Sequence, residues 1–468
     1  MNNIIKILFI FVFFTNCSLN KDSKFWTKSQ KIEEIKKEKV FKGTLVKECN
    51  RKFVIKKCKE VRRGNIEEIF AKDKIFDSEF NPNLKISLYT KAINKSFFNN
   101  NDNNNGRINY QGNLKNISKF KFSKIDNFFQ YSPEISFDNE NIIFFDNKGT
   151  IIKFNDKSKL IWKKNHYSKN EKKQKPILFF ANNKKVLIVA DNISKYYALN
   201  IETGELLWAK NNTSPFNSQI KIHKDKFFVI DYENDLRSFS IKDGKEVWTV
   251  KTRNSLMRSQ KKLSMVIVDE KIYFNNSLGD ITAVNIEDGE LLWQIPTQNS
   301  LVLDNGFFLK TSDIVADKDT LYFSNNQNEF FSIDINTGSL HWKQKINTHL
   351  RPTVIDNYIF SISLEGYLII IDRVSGNIIR ITDVFKNFKP KLIEFSRSKL
   401  RSEIKPTGFI VGRNNIYLTT DHGRLLVIDI TTGITKNTLK LDNEKILRPS
   451  VVNKNFYIIK DNSIIKLN

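Results

Sequence analysis

The stretch of sequence that decides the fold reads YYALNIETGELLW over residues 196–208. Nearly the same phrase returns as ITAVNIEDGELLW over residues 281–293, as FSIDINTGSLHW over residues 331–342 and as SFSIKDGKEVW over residues 238–248. In each copy, apolar residues precede a Thr-Gly or Asp-Gly pair, and a tryptophan follows the glycine by four residues. This pattern predicts two antiparallel strands joined by a tight turn, with the tryptophan on the second strand.

Three further copies of the repeat are incomplete. Gly376 and Gly433 lack the tryptophan, whereas Trp162 is preceded by Ser158 at the glycine position. The five tryptophans lie 40 to 49 residues apart, which is enough for four short strands per unit. We expect each glycine to adopt positive φ, and each tryptophan to wedge between neighbouring sheets while its indole N–H reaches a carbonyl. The residues predicted to have these structural roles are Gly204, Trp208, Gly244, Trp248, Gly289, Trp293, Gly338, Trp342, Trp162, Gly376 and Gly433.

The number of units predicts a closed ring. Seven units end near the repeated turn, and three strand-like runs follow them over residues 449–468. A fourth strand for this last unit is available in residues 118–125 (SKFKFSKI), which precede the first unit. Closing the ring with that strand removes an unpaired sheet edge. The sequence therefore predicts an all-β protein, an eight-bladed β-propeller with four-stranded blades and an N-terminal strand in the last blade.

The start of the chain has the pattern of a secreted lipoprotein. An apolar run from Ile7 to Phe14 follows Lys6, is too short to span a bilayer, and leads to Cys17. The stretch from Phe14 to Cys17 resembles a bacterial lipobox, in which the cysteine is lipidated; simple cleavage or a retained anchor are the alternatives. We therefore expect a signal peptide at residues 1–16, a charged tether with a small hairpin at residues 17–110, and the propeller at residues 111–468.

The remaining two cysteines lie within the tether. Cys49 and Cys58 flank a strand-like run, Phe53 to Ile55. In an oxidising compartment a pair at this spacing can close a small disulfide; two free thiols are the alternative.

The chain is strongly basic, with a formal net charge of +25. The lysines and arginines are spread along the whole sequence, and no recognition helix, RNP-like strand or Cys/His module is present. We therefore predict no nucleic-acid partner and assign the charge mainly to solvated faces. It would also favour contact with anionic lipid or an acidic partner.

The phrase from Ala198 to Trp208 resembles the tryptophan-docking repeat of pyrroloquinoline-quinone-type propellers, which covers residues 133 to 468. Together with the lipobox, it makes the chain resemble the BamB family of outer-membrane lipoproteins. The resemblance implies a palmitate-bearing lipoprotein, anchored in the outer membrane and facing the periplasm. Such a protein is a non-catalytic scaffold without a cofactor that binds a BamA-like assembly barrel and helps insert outer-membrane proteins. Unfolded outer-membrane proteins are a second candidate partner.

The resemblance also implies a contact loop. In the family, a loop before the fourth blade contacts the BamA barrel through apolar residues followed by arginine. The matching residues here are Leu256, Met257 and Arg258. The alternative is that Leu256 and Met257 are core residues at the base of the loop. A second, acidic contact loop is only partly matched by residues 309–313.

A quinoprotein dehydrogenase is the enzymatic alternative, since its repeats look similar. That family places a disulfide of adjacent cysteines against its cofactor, and no cysteine follows Cys58. The five histidines form no His-x-His or His-x-x-His pair, and no calcium-binding set, serine elbow or phosphate loop is recognisable. The sequence therefore favours a protein that is not an enzyme and holds no metal. A different ligand-binding or peptide-binding propeller of the periplasm remains a further alternative.

Overall fold

The computed structural model describes residues 44–52, 55–63, 76, 78–93, 106–126, 128–252, 259, 261–297, 311–325, 328–386 and 404–468. The chain divides into two units, Met1–Asp73 and Lys74–Asn468. In the first, β1 (Thr44–Lys52) and β2 (Ile55–Arg63) form an antiparallel hairpin with Cys49 directly opposite Cys58. The second unit contains eight four-stranded antiparallel sheets, so the predicted eight-bladed propeller is confirmed.

Each blade is a meander that starts at the axis of the ring and ends at its rim. Blades 1 to 4 consist of β4 (Ser136–Asp138), β5 (Asn141–Phe145), β6 (Ile151–Phe154), β7 (Leu160–Lys164); β8 (Leu178–Asn182), β9 (Val186–Asp191), β10 (Lys195–Asn200), β11 (Leu206–Asn211); β12 (Lys221–His223), β13 (Lys226–Ile230), β14 (Leu236–Ser240), β15 (Glu246–Val250); and β16 (Met265–Val268), β17 (Lys271–Asn275), β18 (Ile281–Asn285), β19 (Leu291–Ile295).

Blades 5 to 8 repeat the arrangement. They consist of β20 (Val315–Asp317), β21 (Thr320–Ser324), β22 (Glu329–Asp334), β23 (Leu340–Lys345); β24 (Thr353–Ile355), β25 (Tyr358–Ile362), β26 (Tyr367–Asp372), β27 (Ile378–Asp383); β28 (Pro406–Val411), β29 (Asn415–Thr420), β30 (Arg424–Asp429), β31 (Thr435–Lys440); and β32 (Ser450–Val452), β33 (Asn455–Ile459), β34 (Ser463–Leu467) with β3 (Asn116–Lys121). Two short helices precede the inner strands of blades 1 and 2, α1 (Phe128–Tyr131) and α2 (Lys169–Lys173).

The middle strands of the blades carry the core. Their side chains are buried on both faces, as in Ile142 to Phe145 of β5 and Leu368 to Ile371 of β26. An isolated blade would expose two apolar faces, and stacking against its neighbours removes both from water. The rim strands alternate between exposed and partly buried residues instead, as in β11 and β23.

The predicted strand that closes the ring is confirmed. β3 pairs antiparallel with β34, with Phe120 opposite Ile464, and so becomes the rim strand of blade 8. Phe120 is fully buried and its ring meets that of Phe154 in blade 1, with 5.6 Å between centroids. The N-terminal strand therefore completes the last blade and also packs on the first.

The tryptophans of the repeat dock between blades. The indole N–H of Trp208 in blade 2 donates to the carbonyl of Ile241 in the blade 3 turn at 2.9 Å, and Trp162 donates to Ile201 at 3.1 Å. In every rim hairpin from blade 1 to blade 7 the pairing register shifts next to this position, as between Ala198 and Leu199. The resulting bulge adds a residue just before the tryptophan position. The remaining docked pairs are Trp248 with Glu287, Trp293 with Ile335, and Trp342 with Arg373.

The turn glycines are required by this docking. Gly244 has a φ of +65°, and a Cβ added there would lie 2.5 Å from the ring of Trp208. A side chain would therefore meet both backbone strain and a steric clash. The corresponding glycines below the other tryptophans are Gly204, Gly289, Gly338 and Gly376.

Arg380 replaces the missing tryptophan in blade 6. It follows Gly376 by four residues, is fully buried, and donates through its guanidinium to the carbonyl of Ile430 at 3.2 Å. Ile430 occupies the same turn position in blade 7 as Ile241 does in blade 3. The guanidinium also donates to the carbonyls of Thr431 and, at 2.8 Å, Leu84. A planar group with five N–H donors can satisfy several carbonyls at once, which an indole cannot.

Leu84 belongs to a segment that we call the strap, residues 78–93. Phe80 exchanges two backbone hydrogen bonds with Ile381 of the blade 6 rim strand, at 3.1 and 2.8 Å. Farther along, the backbone N–H of Tyr89 donates to the carboxylate of Asp356 at 2.7 Å. Residues 106–110 continue onto blade 7, where Ile108 donates to Val411 at 2.8 Å. Contacts with the ring thus begin well before residue 111, where the sequence placed the start of the propeller.

We predict that deleting residues 112–125 destabilises the protein far more than deleting residues 20–75. The first deletion removes β3, exposes the edge of β34 and uncovers Phe154, whereas the second removes only residues that precede the strap. Thermal melting should show a fall of more than about 10 °C for the first deletion and a change within about 2 °C for the second. Equal melting temperatures would contradict closure by β3.

A pair of glycine substitutions tests the docking. Gly244→Ala should lower the free energy of unfolding by about 2–4 kcal/mol, because strain and the clash with Trp208 add together. Gly106→Ala is the matched control: its φ is also positive, at +53°, but nothing lies within 4 Å of an added Cβ. It should cost about 1 kcal/mol. Urea denaturation measures the free energy of unfolding of both variants. Equal losses for the two would show that the close contact between Gly244 and Trp208 does not contribute to stability.

The disulfide between Cys49 and Cys58 stays a prediction that the hairpin register supports. Residues directly opposite in an antiparallel pair have Cα atoms about 4.5–5.5 Å apart, within the span of a disulfide. If the disulfide is present, alkylation of the unfolded protein without reductant should leave Cys49 and Cys58 unmodified. In the Cys49→Ser variant, Cys58 has no partner in the hairpin and should be alkylated fully. Labelling of both cysteines without reductant would contradict the pairing.

Candidate partner-binding face

The connections between strands lie on two opposite faces of the ring. Because the strands of a blade alternate in direction, the turn between the second and third strands lies at the same end as the connection to the next blade. We call this end the loop face and the other end the turn face. Connections on the loop face are long, for example residues 251–264 and 296–314. Long connections held by a rigid scaffold are typical of binding surfaces.

The predicted contact residues Leu256, Met257 and Arg258 lie outside the residues that the structure describes. Both ends of their loop are described. Thr252 donates its hydroxyl to the carbonyl of Asn234 at 2.8 Å, and the backbone N–H of Ser259 donates to the hydroxyl of Ser277 at 3.0 Å. These bonds hold the loop at the junction of blades 3 and 4.

The ends of the second connection, before blade 5, are held in the same way. The hydroxyl of Thr297 donates to the carbonyl of Gly279 at 2.6 Å, and the amide of Asn275 donates to the hydroxyl of Thr311 at 2.6 Å. Asp313, the last residue of the partly matching stretch 309–313, lies where this connection enters β20. The two loops therefore leave the ring from adjacent blades on the same face.

Asp313 belongs to a group of charged residues around the axis of the ring. Five polar residues each lie two positions before an inner strand: Glu134, Gln219, Asp313, Arg351 and Arg448. Lys261 and Lys262 precede the inner strand of blade 4. We call the six charged members the axial charge cluster; they are Glu134, Lys261, Lys262, Asp313, Arg351 and Arg448.

Ion pairs join these residues across blades. The ammonium of Lys262 in blade 4 lies 2.7 Å from the carboxylate of Glu134 in blade 1. These blades are not neighbours in a ring of eight, so this pair spans the region of the axis. Lys261 lies 3.3 Å from the carboxylate of Asp313, and its ammonium also donates to the carbonyls of Thr311 at 2.7 Å and His349 at 3.2 Å. Lys261 thereby connects blades 4, 5 and 6.

Burial and the neighbouring charges shift the pKa values of Asp313 and Arg448. Burial alone would raise the pKa of Asp313, but Lys261 and Arg351, helped by Lys262 and Arg448, hold that pKa well below its ordinary value. Burial lowers the pKa of Arg448 to about 9, and the neighbouring charge of Arg351 acts in the same direction, against Asp313 and Glu134. Four cations and two carboxylates thus interact within one partly buried cluster.

A small cavity adjoins the cluster beside blades 1 to 3. It has room for about one water molecule and is lined by Glu134, Leu178, Phe179, Phe180, Gln219, Ile220 and Lys262. Its wall is apolar on the side of β8, with one carboxylate and one ammonium at the edge.

Sequence reasoning missed the axial charge cluster, although a pattern in the sequence marks part of it. The phrase Arg-Pro-Thr-Val at residues 351–354 returns as Arg-Pro-Ser-Val at residues 448–451. Both copies lie just before an inner strand. Aligning the repeats on their first strands, and not only on their tryptophans, would have placed both arginines at the same point of the ring. Arg380 could have been found by reading which residue stands four positions after Gly376.

Two other expectations concern anchoring and metals. Cys17 lies outside the described residues, and within those residues no helix is long and apolar enough to cross a membrane. No group of three or more histidine, cysteine, aspartate or glutamate side chains suited to a metal ion occurs in the part of the chain that the structure describes.

Several solved structures have a fold similar to that of this chain. BamB from Moraxella catarrhalis superposes with a TM-score of 0.59 at 15% identity, covering 76% of this chain and 99% of that one. The computationally designed Ika8 protein gives 0.55 at 14% identity, with coverage of 76% and 99%. The quinohemoprotein alcohol dehydrogenase from Comamonas testosteroni gives 0.58 at 10% identity, with coverage of 77% and 78%. At these identities the superpositions show the fold alone.

Sequence comparison goes further than the fold. No curated protein matches this chain. The model of one family, described as outer membrane protein assembly factor BamB, matches residues 147–382, which is half of the chain. The match runs from blade 1 to the rim strand of blade 6 and includes the connection that carries Leu256. The family match and the eight-bladed ring show that this chain belongs to the BamB family of outer membrane protein assembly factors.

Proposed function

We propose that this protein is a non-catalytic lipoprotein scaffold of the outer-membrane β-barrel assembly machinery. The observation that carries the proposal is the family match over residues 147–382. The protein would be anchored in the outer membrane through Cys17, face the periplasm, and bind a BamA-like assembly barrel. In this role it would help the insertion of outer-membrane proteins, whose unfolded chains are a second candidate partner.

The loop between blades 3 and 4 is the proposed contact with the barrel. Leu256, Met257 and Arg258 match the pattern of the family, and both ends of their loop are held by hydrogen bonds to buried parts of the ring. An apolar pair beside an arginine suits a small hot spot, because the apolar side chains exclude water from a bond that arginine makes bidentately. Fixed loop ends reduce the conformational entropy lost on binding.

A dehydrogenase with the same fold is the main alternative to a scaffold. The propeller is shared by scaffolds and enzymes, so the function must be judged from sites. The sequence has no cysteine after Cys58, and therefore lacks the adjacent-cysteine pair expected of a quinoprotein dehydrogenase. This observation favours the scaffold.

Changing the contact loop should separate binding from folding. We predict that Leu256→Ala combined with Arg258→Glu abolishes co-purification with the BamA-like barrel from detergent-solubilised membranes. Loss of a hot spot lowers affinity by about tenfold or more per residue, and the charge reversal adds repulsion. The circular-dichroism spectrum and the melting temperature should stay at their wild-type values.

A matched control uses residues on the rim. Leu207 is 52% exposed and Lys163 is exposed, both on rim strands. The combination Leu207→Ala and Lys163→Glu also replaces one leucine by alanine and reverses one basic charge, and it should leave co-purification intact. If the loop variant still retains the barrel at wild-type levels, these residues are not the contact.

Anchoring can be tested separately. We predict that Cys17→Ser moves the protein from the membrane fraction to the soluble periplasmic fraction, because stable anchoring needs the two chains of a diacylated cysteine. Cys49→Ser is the control and should remain with the membrane. Unchanged membrane retention of Cys17→Ser, with an unchanged mass of the mature N-terminus, would contradict lipidation at this residue.

A further inference from the structure

The rim hairpin of blade 1 differs in charge from those of the other blades. From the start of its turn to two residues past its tryptophan, residues 155–164 contain four lysines and one aspartate, a net charge of +3. The equivalent stretch of blade 4, residues 285–295, contains three acidic residues and no basic one. The remaining equivalent stretches carry net charges from −1 to +1; they are residues 200–210, 240–250, 334–344, 372–382 and 429–439. The repeat itself therefore does not require the lysines of blade 1.

The rim strand of blade 8 lies directly beside this hairpin. In β3, Phe120 packs on Phe154 of blade 1, which pairs with Leu160 of the rim strand β7. Blade 8 is also joined to the turn of blade 1, since the ammonium of Lys466 donates to a carbonyl of that turn at 3.1 Å. Lys119 of β3 is exposed next to Phe120. The rim strands of blades 8 and 1 therefore form neighbouring parts of one surface.

Exposed aliphatic side chains accompany the lysines on this surface. Ile117 in β3 is 50% exposed, and Leu160 and Ile161 at the start of β7 are 50% and 46% exposed. The first residue of β3 pairs with the last residue of β34, and β7 begins just after its turn, so all three lie toward the turn face. We call these three residues, together with Lys119, Lys159 and Lys163, the basic rim patch.

The lysines of the patch are not explained by contacts within the ring. Lys119, Lys159 and Lys163 are exposed, and none of them forms an ion pair with a carboxylate of the residues that the structure describes. Lysine on an edge strand can protect it from unwanted strand pairing. Edge protection alone does not require these lysines, since β19 of blade 4 is equally an edge strand and has no charged residue. The patch therefore has a composition that the fold does not demand.

We propose that the basic rim patch rests on an anionic phospholipid bilayer, with its lysine ammonium groups at the phosphates and its aliphatic side chains in the interface. A lysine side chain keeps its ammonium in the polar layer while its methylene groups cover apolar surface. Aliphatic side chains beside lysines are typical of protein surfaces that lie in a membrane interface. The contact involves only the ring, so it depends neither on lipidation at Cys17 nor on the proposed barrel contact.

The composition of the patch favours lipid over an acidic protein. All of its cations are lysines, and lysine is depleted in protein interfaces, whereas arginine is enriched there. Arginine binds a carboxylate through two parallel hydrogen bonds, while lysine acts as a hydrated point charge that suits mobile phosphate groups. The outer rim of a closed ring is convex, and a bilayer can adapt to such a surface without a complementary shape. An anionic bilayer is therefore the partner that these residues fit.

Flotation with lipid vesicles tests the contact. The protein is the mature chain, residues 17–468, made without the predicted signal peptide and with Cys17→Ser, so that no acyl chain is attached. Vesicles of phosphatidylcholine alone are compared with vesicles that also contain about 30% phosphatidylglycerol, at about 0.1 M salt. The protein should float with the anionic vesicles and stay behind with the neutral ones. Absence of flotation with the anionic vesicles would overturn the proposal.

Two variants test the two components of the patch. Lys119→Gln, Lys159→Gln and Lys163→Gln together should weaken partitioning into anionic vesicles about tenfold or more, because three charges near the phosphates are lost. Leu160→Thr combined with Ile161→Thr should weaken it about tenfold, since two half-exposed side chains no longer enter the interface. These side chains are exposed, so the circular-dichroism spectrum and the melting temperature should stay at their wild-type values. Unchanged partitioning of either variant would contradict the role of its residues.

Matched controls use the same changes in other blades. Leu291→Thr combined with Leu292→Thr alters the equivalent positions of blade 4, which are 53% and 40% exposed beside an acidic turn. Lys242→Gln, Lys318→Gln and Lys345→Gln together remove three exposed lysines from blades 3 and 5. Both controls should partition within about twofold of the wild type, because their residues lie away from the patch. If the lysine control weakens partitioning as much as the patch variant does, the net charge of +25 attracts the lipid and the patch is not a contact surface.

Two further measurements separate the lipid contact from protein contacts. A short polyglutamate peptide represents an acidic protein partner. If the wild type binds this peptide through Lys159 and Lys163 but does not float with anionic vesicles, the partner is a protein and the lipid contact is wrong. The Leu256 and Arg258 double variant should float like the wild type, so failure of the proposed barrel contact would leave this result unchanged.

Discussion

The indole ring of each docked tryptophan lies against the turn glycine of the next blade, and the ring of blades depends on this contact. A four-stranded sheet with two apolar faces is not stable alone in water, so each blade needs a neighbour on both sides. The tryptophan contributes a large apolar area, and its N–H satisfies a carbonyl that the turn leaves unpaired. Both effects require close approach, which only a residue without a Cβ allows. One contact repeated from blade to blade thus sets the spacing of the ring.

The interface between blades 6 and 7 shows what happens where the tryptophan is missing. Arg380 reaches the same turn carbonyl and adds bonds to Thr431 and Leu84. The second set of bonds joins the strap to the ring on the turn face. The proposed barrel contact lies on the loop face, three blades away. The strap, which follows the proposed anchor in the sequence, and the proposed contact loop are therefore attached to different regions of the ring. The protein can then be anchored and bind a partner at the same time.

The loop face carries features that differ from blade to blade in this ring. The rim turns repeat a phrase that serves packing. The connections between blades differ in length and charge, since they contribute little to the core. The axial charge cluster lies there because the inner strands begin on this face, and a polar residue stands two positions before five of them. Function in a propeller is accordingly carried by connections and strand starts, while the blades supply rigidity.

The sequence by itself determined the fold. Residues 196–208 and their copies predict the hairpins, the period predicts the four strands of a blade, and the missing last strand predicts closure by residues near Phe120. These features are local or periodic, so one chain read in order reveals them. Only the tertiary structure brought together the axial charge cluster, because Glu134 and Lys262, or Lys261 and Asp313, are far apart in sequence and form ion pairs only when the ring closes. The same holds for Arg380 and Leu84, whose bond joins residues nearly 300 positions apart. A sequence repeat reveals the residues that all blades share, whereas a site on the axis is formed by residues that differ from one blade to the next.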